Sequence, residues 1–156
     1  MTWLEVCQDK SLRDLPYKVE LNRWGNIEMS PHRRQHGRMQ GRVSTRLAQL
    51  MPKGEIIVEC AVDTSDGVRV PDVAWASTTR WNSMSDSASC SVAPEICVEV
   101  LSASNSPEEM AHKRTLYFEA GAVEVWFCDE QGSVQFFSAK AAVKRSRLCP
   151  KFPARI

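Results

Sequence analysis

Within the run Ile96-Cys97-Val98-Glu99-Val100-Leu101 a single carboxylate interrupts an otherwise apolar stretch. Pro94 precedes the run and Ser102 follows it, which gives it the length and bounds of a buried strand. An unpaired carboxylate in such a place costs several kcal/mol, so Glu99 requires a partner, either a basic side chain or a metal ion. A second carboxylate, Asp72, stands in the strand-like stretch Val68-Arg69-Val70-Pro71-Asp72-Val73-Ala74-Trp75. Alternate residues of a strand share a face, which groups Glu99 with Cys97 and Leu101, and Asp72 with the small residues Ala74 and Ala76. If the two strands are adjacent, the carboxylates can converge on a hard divalent cation, which takes oxygen ligands and keeps waters for chemistry. The competing account of Glu99 is a buried ion pair, and that of Asp72 is an aspartate following proline at a turn or strand edge.

Two sets of basic residues bear on the same chemistry. Lys113 stands four residues after Glu109, a spacing that suits a surface ion pair on a helix worth about 0.3 to 0.5 kcal/mol. Its functional alternative is an ammonium beside the metal that orients a water or meets developing phosphate charge. Arg34, Arg38, Arg42 and Arg46 recur every four residues, as a row that either contacts phosphates or forms a solvated helix face.

The elements that must position these groups follow from local pattern. Thr2-Trp3-Leu4-Glu5 has the capping-box form and opens a short helix. Tyr17 to Leu21 and Ile27 to Met29 flank the turn-rich Asn22-Arg23-Trp24-Gly25-Asn26 and predict a hairpin. From His32 to Leu50 the residues Met39, Val43, Leu47 and Leu50 mark one face of a helix, closed by Pro52 and Gly54. Glu55 to Val62 and Val68 to Ala76 predict two antiparallel strands about a turn at 63–67, and the Ser-, Thr- and Asn-rich 77–91 predicts a loop. Ser106, Pro107 and Glu109 cap a helix over Pro107 to Ala120, with Gly121 at its end. Val123 to Cys128 and Ser133 to Phe137 form a last hairpin. The basic tail 139–156 has no assigned structure. Strands on either side of the capped helix make a β-α-β unit, which favours parallel pairing and an α/β fold.

Composition bounds the function classes. The 156 residues suit one domain, 1–156, with 43% hydrophobic and 25% charged residues. A net charge of +1 leaves any nucleic-acid footprint local rather than global. No apolar run approaches the roughly 18 residues that span a membrane, and the start lacks a signal-peptide plan, so the expected location is cytoplasmic and no membrane partner is expected. The six cysteines contain no C-x-x-C pair, and Cys60, Cys97 and Cys128, inside strand-like runs, read as small hydrophobes. The three histidines lack zinc-ligand spacing.

Pro71-Asp72-Val73, Ile96 to Ser102, Lys113 with Tyr117, and Gly121-Ala122-Val123-Glu124-Val125-Trp126 together resemble the Uma-two family of restriction-endonuclease-like proteins, within the PD-(D/E)XK nuclease superfamily. The likeness extends from the Tyr17 to Met29 hairpin, through His36, to Phe152-Pro153. It implies a restriction-endonuclease-like core, a mixed β-sheet flanked by helices, with Asp72 and Glu99 at the metal-binding positions and Mg2+ or Mn2+ as cofactor. The superfamily's lysine two residues after the glutamate is here Leu101, and the resemblance moves that role to Lys113. Glu109 stands where the family more often carries aspartate, and His36 and Tyr117 complete the candidates. The implied activity is hydrolysis of DNA phosphodiester bonds, and cleavage of both strands would favour a homodimer. The rival is a nuclease-like module, degraded by loss of the in-strand lysine, that binds nucleic acid or a protein without cleaving. A third reading, two carboxylates acting as acid and base on a sugar, lacks the aromatic platform such a cleft wants.

Overall fold

The computed structural model describes residues 1–84 and 86–156. Helix α1 (Trp3–Gln8) opens with the reciprocal Thr2 and Glu5 capping box that the sequence predicts. The predicted hairpin is present as β1 (Tyr17–Leu21) and β2 (Ile27–Pro31), paired antiparallel. Gly25 turns between them at φ 76°, where a Cβ would meet the Met1 nitrogen at 2.7 Å. Helix α2 (Arg34–Leu50) buries Met39, Val43 and Leu47, the face read from their spacing.

The two long strands expected at 55–62 and 68–76 each break in the middle. They are β3 (Gly54–Val58), β4 (Val62–Thr64), β5 (Gly67–Arg69) and β6 (Val73–Ser77). Two local features enforce the break. Glu59 adopts φ 54°, outside any strand, and Pro71 has no N–H to give a ladder. The Glu59 N–H donates instead to the Asp72 carbonyl at 3.1 Å, bracing the bend. As a result the ribbon passes from one sheet to another: β3 pairs with β6, and β4 with β5. Asp72 lies at the corner just before β6, not within a strand as its surroundings suggested.

The expected loop at 77–91 contains a short helix, α3 (Thr78–Ser83), whose Arg80 N–H is capped by the Ser77 hydroxyl. Ser85, in the same stretch, lies outside the described residues. Strand β7 (Ile96–Val100), helix α4 (Pro107–Glu119) and strand β8 (Glu124–Cys128) form the β-α-β unit, with β7 and β8 parallel. β9 (Val134–Ser138) follows antiparallel, and the tail contributes β10 (Ala142–Val143) at the edge.

Two sheets result. The mixed sheet runs β10-β9-β8-β7-β6-β3, and a smaller antiparallel sheet runs β2-β1-β5-β4. Alternation along β7 divides the main core: Ile96, Val98 and Val100 pack with the α2 face, while Cys97 packs with Met110 and Tyr117 of α4. Full burial of side chains of this size contributes about 1.5 to 3 kcal/mol each. Glu99 shares the α4 side of β7 with Cys97, and that placement decides its neighbours.

Candidate active site

Five buried ionisable side chains from four parts of the fold meet where the two sheets approach each other: Lys18 and Glu20 of β1, Asp72 at the corner, Glu99 of β7 and Lys113 of α4. Lys18 is the pivot. Its Nζ donates to the Val70 carbonyl at 2.8 Å, to Asp72 Oδ1 at 3.0 Å and to Glu99 Oε2 at 3.1 Å. The remaining carboxylate oxygens are also engaged. Asp72 Oδ2 accepts from the Val100 N–H at 2.7 Å and lies 3.2 Å from His36 Nε2. Glu99 Oε1 accepts from the Tyr117 hydroxyl at 2.6 Å and from Lys113 Nζ at 3.4 Å. Lys113 also donates to Glu20 at 3.0 Å, and Glu20 in turn accepts from the Val70 N–H at 2.7 Å.

The sequence-derived candidates thus separate. Asp72, Glu99, Lys113, Tyr117 and His36 come together. Lys113 is not the outward half of a helical surface pair; it turns inward, and Glu109 stays exposed in the first turn of α4. Arg34, Arg38, Arg42 and Arg46 are all exposed on α2, and the last three line a groove with Ile156 apart from the acid cluster. Sequence reasoning missed Lys18 and Glu20. Their signal was their two-residue spacing within β1, which puts both on one face.

The electrostatics follow from burial and pairing. Burial opposes the charge of Lys18, yet Glu99, Asp72 and Glu20 outweigh it and hold the ammonium protonated well above its ordinary range. Burial likewise opposes ionisation of Asp72, but Lys18 and His36 hold its carboxyl well below the usual carboxylate range. At Glu99 burial wins and raises the carboxyl, against Lys113 and Lys18. The hydrogen bond with Asp72 raises His36, favouring its charged form. Lys18, Lys113 and the Arg69 guanidinium, 3.9 Å from Glu20, face the three carboxylates Glu20, Asp72 and Glu99, and His36 stands against Asp72 on the side away from Lys18.

Among the described residues no three His, Cys, Asp or Glu side chains gather into a ready cation cage. Asp72 Oδ1 and Glu99 Oε2 nevertheless face one point, and two hard oxygens fit Mg2+ or Mn2+, ions that retain several waters, provided the Lys18 ammonium moves aside. The pocket over them, of about 40 Å3, is lined by Lys18, His36, Asp72, Glu99 and Lys113, with His32 and Arg33 at its rim. This is room for a few waters and not for a nucleotide, so a phosphate must approach from the rim.

The family model described as "Uma2: Putative restriction endonuclease" matches residues 9–149. A crystal structure described as "a putative nuclease belonging to DUF820", from Anabaena variabilis, is similar with a TM-score of 0.66 at 17% sequence identity, over 78% of this chain and 72% of that one. At that identity the likeness is one of fold. No curated protein matches the sequence.

Proposed function

Because the chain belongs to the Uma2 family of nuclease-like proteins, we propose that it is a divalent-metal-dependent endonuclease hydrolysing phosphodiester bonds of DNA. The observation that carries this reading is the convergence of the Asp72 and Glu99 carboxylates on one buried point beneath an open pocket. Asp72 and Glu99 would hold Mg2+ or Mn2+. Bound there, the ion supplies Lewis acidity and a water of lowered pKa. Tyr117 fixes the orientation of Glu99 through its 2.6 Å hydrogen bond, and Lys113, held between Glu20 and Glu99, presents an ammonium at the pocket wall where phosphate charge develops. His36, whose charged form the hydrogen bond with Asp72 favours, and Arg33 at the rim favour entry of an anion. Lys18 keeps the two carboxylates together while no cation is bound.

One observation favours the second reading, a module that binds without cleaving: all four oxygens of Asp72 and Glu99 already have protein partners. Nicking of supercoiled DNA with MnCl2, against EDTA, decides between them. Under the nuclease reading Asp72→Asn and Glu99→Gln abolish nicking, whereas Lys113→Ala lowers turnover with metal affinity nearly unchanged. DNA binding in EDTA without cleavage in any divalent cation would establish the binding module instead.

A further inference from the structure

Away from the acid cluster, three sulfur atoms meet beside a second cavity. Cys60 lies in the link between β3 and β4, and its Sγ stands 3.5 Å from the Sγ of Cys90. The Cys90 Sγ is also 3.8 Å from the Sδ of Met84, the residue that closes α3. Backbone pairing fixes the two thiols: the Cys90 N–H donates to the Ala61 carbonyl at 2.8 Å, and the Asp63 N–H donates to the Cys90 carbonyl at 2.8 Å. These spacings arise from the fold and not from a covalent bond, since both cysteines are free thiols.

We propose that Cys60, Cys90 and Met84 form a binding site for a soft metal ion of the copper(I) class. Thiolates and a thioether select soft ions, while hard ions prefer oxygen. Sulfurs held about 2.3 Å from a common ion stand roughly 3.8 to 4.0 Å apart, and the two separations made by Cys90, 3.5 Å to Cys60 and 3.8 Å to Met84, lie within about half an ångström of that spacing. Access exists: Cys60, Cys90 and Met84 all line an open cavity of about 560 Å3, with Trp81 and Asp86 on its wall. On binding, both S–H protons pass to solvent, two metal–thiolate bonds form, the thioether donates a lone pair, and the ion keeps its oxidation state. The site is independent of the acid cluster and of the nuclease reading.

The test uses the full, reduced chain under anaerobic conditions, titrated with copper(I) buffered by a chromogenic chelator. One equivalent is expected to bind, with X-ray absorption showing a shell made of sulfur alone. Cys60→Ser and Cys90→Ser should each weaken binding beyond the roughly 10- to 100-fold loss typical of removing a group that only supports a ligand, and Met84→Leu by about tenfold. Cys7→Ser, which removes the one exposed cysteine, should change nothing. The absorption measurement on the unmodified chain keeps the test valid should a serine variant fold poorly. Nitrogen or oxygen in the shell, equal affinity for zinc(II), an equivalent retained by Cys90→Ser, or a thiol pair that forms a disulfide in air but binds no copper(I) would each overturn the assignment.

Discussion

Lys18 spends its three N–H donors on Val70, Asp72 and Glu99, so its removal leaves two buried carboxylates facing each other without the ammonium between them. Breaking a buried pair in this way costs about 3 to 5 kcal/mol, and Lys18→Met should show that loss in EDTA. A divalent cation at a hundredfold excess over its dissociation constant returns about 2.7 kcal/mol, and it should stabilise Lys18→Met more than wild type because the competing ammonium is gone. Equal Mn2+ responses of the two proteins in thermal unfolding would remove Lys18 from the cation's place. The opposite half of the cluster gives a matching result: Glu99→Gln should destabilise in EDTA, since Lys18 and Lys113 lose a charged partner. Asp66, which does not line the pocket, provides a pH readout. Burial opposes its charge, but hydrogen bonds from His112 and Arg23, with Arg69 alongside, hold its carboxyl well below the usual carboxylate range. A depressed folded value means that the stabilisation is complete above the unfolded pKa of about 3.9 and fades as pH falls toward the folded one. Asp66→Asn should therefore cost about 1 to 3 kcal/mol at pH 7. That difference from wild type in urea unfolding should shrink between pH 4 and pH 2, and a constant difference across this range would contradict it.

At the scale of elements, Glu124 at the start of β8 organises the basic tail. Buried, and without a basic side-chain partner among the described residues, it accepts from the Trp126 indole at 2.8 Å, the Ser146 hydroxyl at 2.6 Å, and the N–H groups of Arg147 and Leu148 at 2.7 and 3.0 Å. Glu124→Gln turns an amide donor toward these donors and should cost about 2 to 4 kcal/mol, at roughly 1.5 to 3 kcal/mol for each charged hydrogen bond weakened. Limited proteolysis would show it first as faster cleavage within 139–150, and an unchanged cleavage rate would mean the tail is held by Phe152 in the core instead. The tail was unreadable in the sequence because its anchor lies in a strand 22 residues earlier. Patterns carried by neighbouring residues were legible: the α1 capping box, the α2 stripe, the capped α4 and the β7 run. β1 was found as a strand, but nothing within it told which face is buried. Lys18 and Glu20 point inward while Tyr17 is exposed, a placement that rests on distant partners, Val70 after β5, Glu99 of β7 and Lys113 of α4. The break in the two long strands escaped for a similar reason, since both halves of each are rich in strand-forming residues and the bend rests on a positive φ at Glu59.

For the molecule as a whole, a net charge of +1 means that affinity for nucleic acid has to come from local placement of cations. Arg38 follows His36 by two residues, about 200° around the helix, so the arginine row and the pocket rim occupy different flanks of α2. A duplex contacting both would have to lie across that helix. Replacing Arg38 and Arg42 with glutamine should lower DNA affinity about equally for all sequences and flatten the plot of log affinity against log salt by roughly one unit per lost phosphate contact. An unchanged slope would identify the row as a solvated face.

The bonds that draw the acids together also span long stretches of chain: 54 residues from Lys18 to Asp72, 81 from Lys18 to Glu99 and 93 from Lys113 to Glu20. Contacts so distant in sequence form late in folding, because the entropy of closing the intervening loops is spent before they return anything. A nascent or nicked chain can carry well-formed hairpins and helices while its acids and lysines are still scattered. Under the nuclease reading the acid cluster is thus an interlock on maturation: a chain whose topology is incomplete would have no means of attacking nucleic acid. Refolding kinetics should show it as mutations at Lys18 that accelerate unfolding and leave the folding rate almost untouched.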